Sequence, residues 1–195
     1  LPEATLKVKR GGADVDVIVK STDELLGRYD GACGIKTGNT PLAGPCFAGA
    51  CERNGKMLYA ILLDSTSEQQ RFDDAVTLYD WVYDNYVMYD LAHSDVKVQM
   101  STDNTTREVP VVAEVSLKAW VDKTVPATFA NPDAVVEVFA PLGNISQTFE
   151  FNDITGSVRA GDVIGRATFY QRNEVIDEID IVACENVDAP SIFES

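Results

Sequence analysis

The residues of this chain that could do chemistry are few. They are four cysteines (Cys33, Cys46, Cys51 and Cys184), the single His93, a Ser-x-x-Lys spacing at Ser94-Asp95-Val96-Lys97, and the tripeptide Lys36-Thr37-Gly38. The cysteines lack the paired Cys-x-x-Cys spacing of a zinc site, and one histidine cannot complete such a set, so no metal is expected. Each cysteine reads first as a small core residue. Cys33 and Cys46 flank Lys36-Thr37-Gly38, and a disulfide between them is open if their strands are neighbours, which would place the protein outside the cytosol. Ser94 and Lys97 would share a face only on a helix, whereas they fall in a junction and the β-rich run that follows it, so they read as non-catalytic. His93 reads as a solvated linker residue. Lys36-Thr37-Gly38 is a weak signal alone and takes its meaning from its surroundings.

Those surroundings are a sheet and a helix. Thr5 to Lys9 and Val15 to Val19 alternate apolar and polar residues on either side of Gly11-Gly12 and predict a hairpin. Ser21 to Leu26 predicts a short capped helical turn. Strands follow at Ile35 to Thr37, Cys46 to Cys51 and Met57 to Leu63, the last two joined by Asn54-Gly55, so three antiparallel strands lie side by side. Ser65-Thr66-Ser67-Glu68 has the form of a capping box, and Phe72, Ala75, Val76, Tyr79, Val82, Tyr83 and Tyr86 recur at helical spacing behind it. A long amphipathic helix packing on the sheet is expected.

From about Leu91 the texture changes to short β-rich runs separated by turn residues, the pattern of a small all-β sandwich. Its predicted strands are Val109 to Val115, Val135 to Phe139, Phe149 to Phe151, Val163 to Tyr170 and Val175 to Val182. The expected class is therefore α+β: an antiparallel sheet with a packed C-terminal helix over 1–91, a β-sandwich over 92–188 and a frayed tail over 189–195. Trp81 and Trp120 read as packing residues. Asn104-Thr105-Thr106 and Asn144-Ile145-Ser146 fit the glycosylation triplet, a pattern too short to carry weight.

A formal net charge of -15 argues against binding nucleic acid or an anionic membrane surface. No apolar run approaches the roughly 20 residues of a spanning helix. The chain opens on a strand pattern with no methionine, and the expectation is a piece of a longer precursor.

The order Tyr29-Asp30-Gly31-Ala32-Cys33-Gly34-Ile35-Lys36-Thr37-Gly38-Asn39-Thr40, then Ala43-Gly44, a strand, the Asn54-Gly55 hairpin, another strand and a long aromatic helix, resembles the serine D-alanyl-D-alanine carboxypeptidases, the low-molecular-weight penicillin-binding proteins. The resemblance runs from residue 5 to about 90. Those enzymes append a β-sandwich, and Gly161-Asp162-Val163-Ile164-Gly165 with the hairpin after it looks like its last segment. The resemblance implies a partial transpeptidase-like domain and, as partners, β-lactams and a peptidoglycan stem peptide with a free carboxylate. It implies no cofactor. Lys36 would supply a positive field, Thr37 a hydroxyl donor and Gly38 open backbone on an edge strand, along which the substrate would lie; the Asn39 backbone N–H would form part of the oxyanion hole. The family's nucleophile belongs to a Ser-x-x-Lys motif upstream of Lys-Thr-Gly, with a Ser-x-Asn motif between them. Neither precedes Lys36, so the chain has no nucleophile of its own, and the missing N-terminal half of the catalytic domain becomes an implied partner. The expectations are an extracytoplasmic location in a bacterial envelope and membrane association only through segments outside this sequence. A non-catalytic envelope binding or spacer module is the alternative from another class, and a β-lactamase a nearer one.

Overall fold

A computed structural model describes residues 2–102 and 105–190; Asn104 of the first glycosylation triplet and residues 191–195 of the expected tail lie outside the described residues. The chain forms two compact units, Leu1–Asp84 and Asn85–Ser195. No helix among the described residues is long and apolar enough to cross a membrane.

The first unit opens with a hairpin of β1 (Glu3–Arg10) and β2 (Ala13–Lys20), turning at Gly11 and Gly12. The segment predicted as a helical turn is instead a hydrogen-bonded turn: the Asp23 carboxylate accepts from the Leu25 N–H at 2.9 Å, two residues on. Asp23 satisfies the local backbone this way and leaves no helix to propagate. The sheet follows as β3 (Ala32–Thr40), β4 (Gly44–Arg53) and β5 (Lys56–Leu62), antiparallel in the order β3-β4-β5. Asn54 and Gly55 take φ of 50° and 74°, the left-handed pair that matches a two-residue hairpin to the strand twist.

The helix α1 (Gln70–Asp84) lies on one face of this sheet, where Phe72, Ala75 and Tyr79 join Phe47, Cys51, Ala60 and Leu62 in one core cluster. Its start is capped two residues later than the sequence suggests: Ser67 Oγ accepts from the Gln70 N–H at 3.0 Å. It also stops earlier. Tyr86 continues the helical spacing but belongs to a strand, because the last turn carries no basic residue against the helix dipole and the next segment, Tyr86-Val87-Met88-Tyr89, is strand-prone. Trp81, read as a packing residue, is half exposed.

Close packing between α1 and β4 depends on Gly49. An added Cβ there would fall on the Tyr79 hydroxyl and within 2.9 Å of Phe47 Cζ. Gly49→Ala is expected to destabilise the first unit by about 1–3 kcal/mol, the usual cost of overpacking a filled core. Urea unfolding followed by tyrosine fluorescence checks this, and an unchanged midpoint would show that the helix can retreat freely.

The second unit is β-rich throughout. Its five-stranded sheet has the order β12-β13-β14-β10-β9, formed by β9 (Ala113–Ser116), β10 (Thr124–Phe129), β12 (Ile145–Phe151), β13 (Val163–Gln171) and β14 (Glu174–Ala183). Two ribbons complete it: β6 (Tyr86–Asp90) with β11 (Val135–Phe139), and β7 (Lys97–Thr102) with β8 (Thr105–Pro110). Alternating side chains send Ala127, Phe129, Ala167, Phe169 and Ile181 into one core with Leu91, Tyr89 and Val136, and send Val182 into another with Met100 and Val109. The run predicted as one strand from Val109 to Val115 is two, broken after Pro110, which has no N–H for a continuous ladder.

Candidate functional site

The tripeptide sits in the middle of β3, an outer strand of its sheet, so one side of its backbone has no strand partner among the described residues. The register places Lys36 opposite Ala48, Thr37 opposite Phe47, and Gly38 opposite Cys46. Consecutive side chains therefore go to opposite faces. Thr37 is buried on the side of Phe47 and α1, and its hydroxyl meets that of Thr22 at 2.5 Å. Lys36 lies with Ala48 and Ile61 on the face away from α1, where its Nζ donates to the Thr37 carbonyl at 2.7 Å. Asn39 donates from Nδ2 to Glu68 Oε1 at 2.7 Å and stands opposite Pro45, whose carbonyl accepts from the Ser65 N–H at 2.9 Å.

The residue that organises this corner is one the sequence did not single out. Arg71, in the first turn of α1, is only 4% exposed; its Nη1 donates to the carbonyls of Gly38 at 3.1 Å and Cys46 at 3.4 Å, while Nη2 faces the Glu68 carboxylate at 3.9 Å. The guanidinium also stands over the Phe72 ring, 4.8 Å from its centroid. One signal could have exposed it: residues 71, 75 and 79 form an i, i+4, i+8 row whose other members, Ala75 and Tyr79, are both core. Ser21, Thr22, Glu24, Thr37, Gly38, Asn39, Glu68 and Arg71 together line a cavity of about 370 Å³ at the edge of β3. The recess combines the hydroxyls of Ser21, Thr22 and Thr37 and the backbone of Gly38 and Asn39 with the Arg71 guanidinium, already held by two carbonyls, and it also carries the Glu24 and Glu68 carboxylates.

Other sequence candidates separate from this site. Cys33 and Cys46 belong to neighbouring strands but do not meet. Cys46 is paired with Gly38, five residues along β3 from Cys33, roughly 16 Å at about 3.3 Å per residue, far beyond the roughly 7 Å limit between Cα atoms of a disulfide. Both are free thiols, Cys33 lying 3.9 Å from the Met57 sulfur and Cys46 donating to the Ala43 carbonyl at 3.3 Å. Ser94 is not on a helix, and its hydroxyl is used locally by Val96.

The chain matches no protein-family model. It is 39% identical over 67 residues to D-alanyl-D-alanine carboxypeptidase DacB2 of Mycobacterium tuberculosis, a stretch covering 33% of this chain and 23% of that protein. Against a D-alanyl-D-alanine carboxypeptidase of Streptomyces sp. it is 40% identical over 62 residues, covering 32% and 21%. Among solved structures, the D-alanyl-D-alanine carboxypeptidase DacD of Francisella tularensis aligns with 92% of this chain and 42% of its own, at 22% identity and a TM-score of 0.39. The chain thus spans less than a quarter of the length of these curated relatives, and over about a third of its own length it is similar to the D-alanyl-D-alanine carboxypeptidases.

Proposed function

We propose that the first unit is one wall of the active site of a serine D-alanyl-D-alanine carboxypeptidase, and that the intact enzyme, in a bacterial envelope, trims the terminal D-alanine of peptidoglycan stem peptides through an acyl-serine intermediate. The observation that carries this reading is the position of Lys36-Thr37-Gly38 on an outer strand beside a cavity shared with Asn39 and Arg71. The peptide would add to the free side of β3, as an extended ligand adds to a sheet edge. Its carboxylate would meet the Thr37 hydroxyl, with Lys36 on the other face of the strand supplying a positive field and Gly38 leaving the backbone open. The pairing of Asn39 with Pro45, which has no N–H, supports an Asn39 N–H free for a developing oxyanion. The transpeptidase-like identity of this sheet and its helix belongs to the same reading, as does the role of residues 92–188 as an appended β-sandwich.

The chain by itself has no nucleophile in this scheme and is inactive. A second observation supports a missing half: on the sheet face away from α1, Tyr59 and Ile61 are 68% and 63% exposed beside Leu63, an apolar surface that the described residues leave uncovered. Labelled penicillin tests the reading. The expected outcome is no covalent adduct on this chain alone and a stable adduct on a serine once the protein carries its upstream coding sequence. No adduct on the extended protein leaves the non-catalytic envelope module, and rapid hydrolysis of the adduct leaves a β-lactamase.

A further inference from the structure

The five-stranded sheet of the second unit ends in two outer strands that differ in how they are protected. Strand β9 is only four residues long and carries Glu114, the ordinary way of blunting an open edge. Strand β12 runs for seven residues, with no proline, no lysine and no bulge in its ladder with β13, and five of the seven are exposed. Its other side has no strand partner among the described residues. A long, regular edge of this kind is a template for another strand.

The register determines which backbone groups that strand would meet. The Asn152 N–H donates to the Ile164 carbonyl at 2.9 Å, and groups directed at one neighbour recur at every second residue of an antiparallel ladder. Ser146, Thr148 and Glu150 therefore turn their N–H and C=O toward β13, while those of Ile145, Gln147, Phe149 and Phe151 turn outward.

The outward set is self-complementary. A two-fold axis at Thr148, the centre of the strand, overlaps its full length and sets Gln147 against Phe149 of a second copy and Ile145 against Phe151. In each pair an outward residue meets an outward residue, so both of its hydrogen bonds can form. Thr148 then faces its own counterpart as a non-hydrogen-bonded pair, the kind in which side chains approach most closely. The half-exposed Phe151 ring gains Ile145 as cover. Charge selects the same arrangement. Glu150 is the only charged residue of the strand, and the two-fold sets it against Ser146, whereas parallel in-register pairing would stack it on Glu150 of the other copy.

We propose that β12 pairs antiparallel with β12 of a second copy of this chain about a two-fold axis at Thr148, joining two five-stranded sheets into one. A single strand pair lies at the small end of specific interfaces, and it sets a weak, reversible dimer with a Kd on the order of 10–100 µM.

Sedimentation equilibrium of the full chain tests this independently of penicillin binding, with circular dichroism confirming that each variant is folded. Two lysine substitutions at exposed positions on one side of the strand are expected to act in opposite directions. Thr148→Lys sets two ammonium groups against each other at the axis and weakens the dimer by about ten-fold, whereas Ser146→Lys meets Glu150 of the second copy on either side of the axis and tightens it by about three- to five-fold. Gln147→Pro removes an outward N–H while keeping the ladder to β13, and weakens the dimer by at least about ten-fold, one hydrogen bond being lost on each side of the axis. A chain that stays monomeric up to about 1 mM, a dimer that both lysines move the same way, or a dimer indifferent to Gln147→Pro overturns the proposal.

Discussion

Replacing Arg71 with alanine is expected to destabilise the first unit by about 2–4 kcal/mol, more than any other single substitution of a polar residue there. The side chain is buried, and it joins the first turn of α1 to the carbonyls of Gly38 on β3 and Cys46 on β4. Hydrogen bonds from a charged donor contribute about 1.5–3 kcal/mol, and carbonyls left buried without a partner add a further penalty. A cation in the first turn is disfavoured by the helix dipole, so Arg71 is retained against a local preference, which marks its contacts as the reason it is there. Arg71→Lys should recover only part of the loss, because a single ammonium lacks the planar fork that reaches two carbonyls and the Glu68 carboxylate together. Hydrogen exchange at the β3 and β4 amides reports this locally: faster exchange around residues 36–40 and 45–48, with the second unit unchanged, is the expected pattern. Uniform protection in both variants would show that Arg71 merely fills space.

How far the fold was readable in advance depended on whether each signal was local. Asn54-Gly55 states its own turn, since both residues must be left-handed for the strands to pair, and the apolar spacing from Phe72 to Tyr83 needs no distant partner to specify a helix. Where a neighbour decides, the reading failed. Tyr86 sits at the right spacing to continue α1, yet β6 pairs with β11 from Val135 onward, about fifty residues away, and that ladder outweighs local preference. Strand β10 escaped notice because Pro126 interrupts it; it is tolerated opposite Glu114, with its carbonyl still accepting from the Cys184 N–H. The cysteines show the same limit for the site. Neighbouring strands were foreseen, but a disulfide depends on register, and the bulge near Ala32 and the Gly38–Cys46 pairing fix a register that keeps them apart. Lys36, Thr37 and Gly38 were legible as a motif. Arg71 was not, because an arginine beside glutamate and glutamines in a helix's first turn looks like solvent-facing charge until the facing carbonyls are known.

In the intact enzyme, Lys36→Ala is expected to lower the second-order rate of penicillin acylation by about 10²–10³-fold while leaving stability within about 0.5 kcal/mol of the parent. The two expectations separate because Lys36 is exposed on an outer strand, with one hydrogen bond, to its neighbour's carbonyl, holding its ammonium. Little folding energy rests on that contact. A β-lactam carboxylate, by contrast, would lose the positive field of the cation on the strand along which it binds. Thr37→Val provides the comparison: Thr37 is buried against Thr22, so losing its hydroxyl should affect both folding and acylation. Acylation curves at several penicillin concentrations distinguish a loss of initial binding from a slower chemical step. If Lys36 serves as the anchor, the loss falls mainly on binding, and high ionic strength should weaken the parent more than the variant. Unchanged acylation in Lys36→Ala would remove the carboxylate anchor from the proposed wall and leave recognition to Thr37, Asn39 and Arg71.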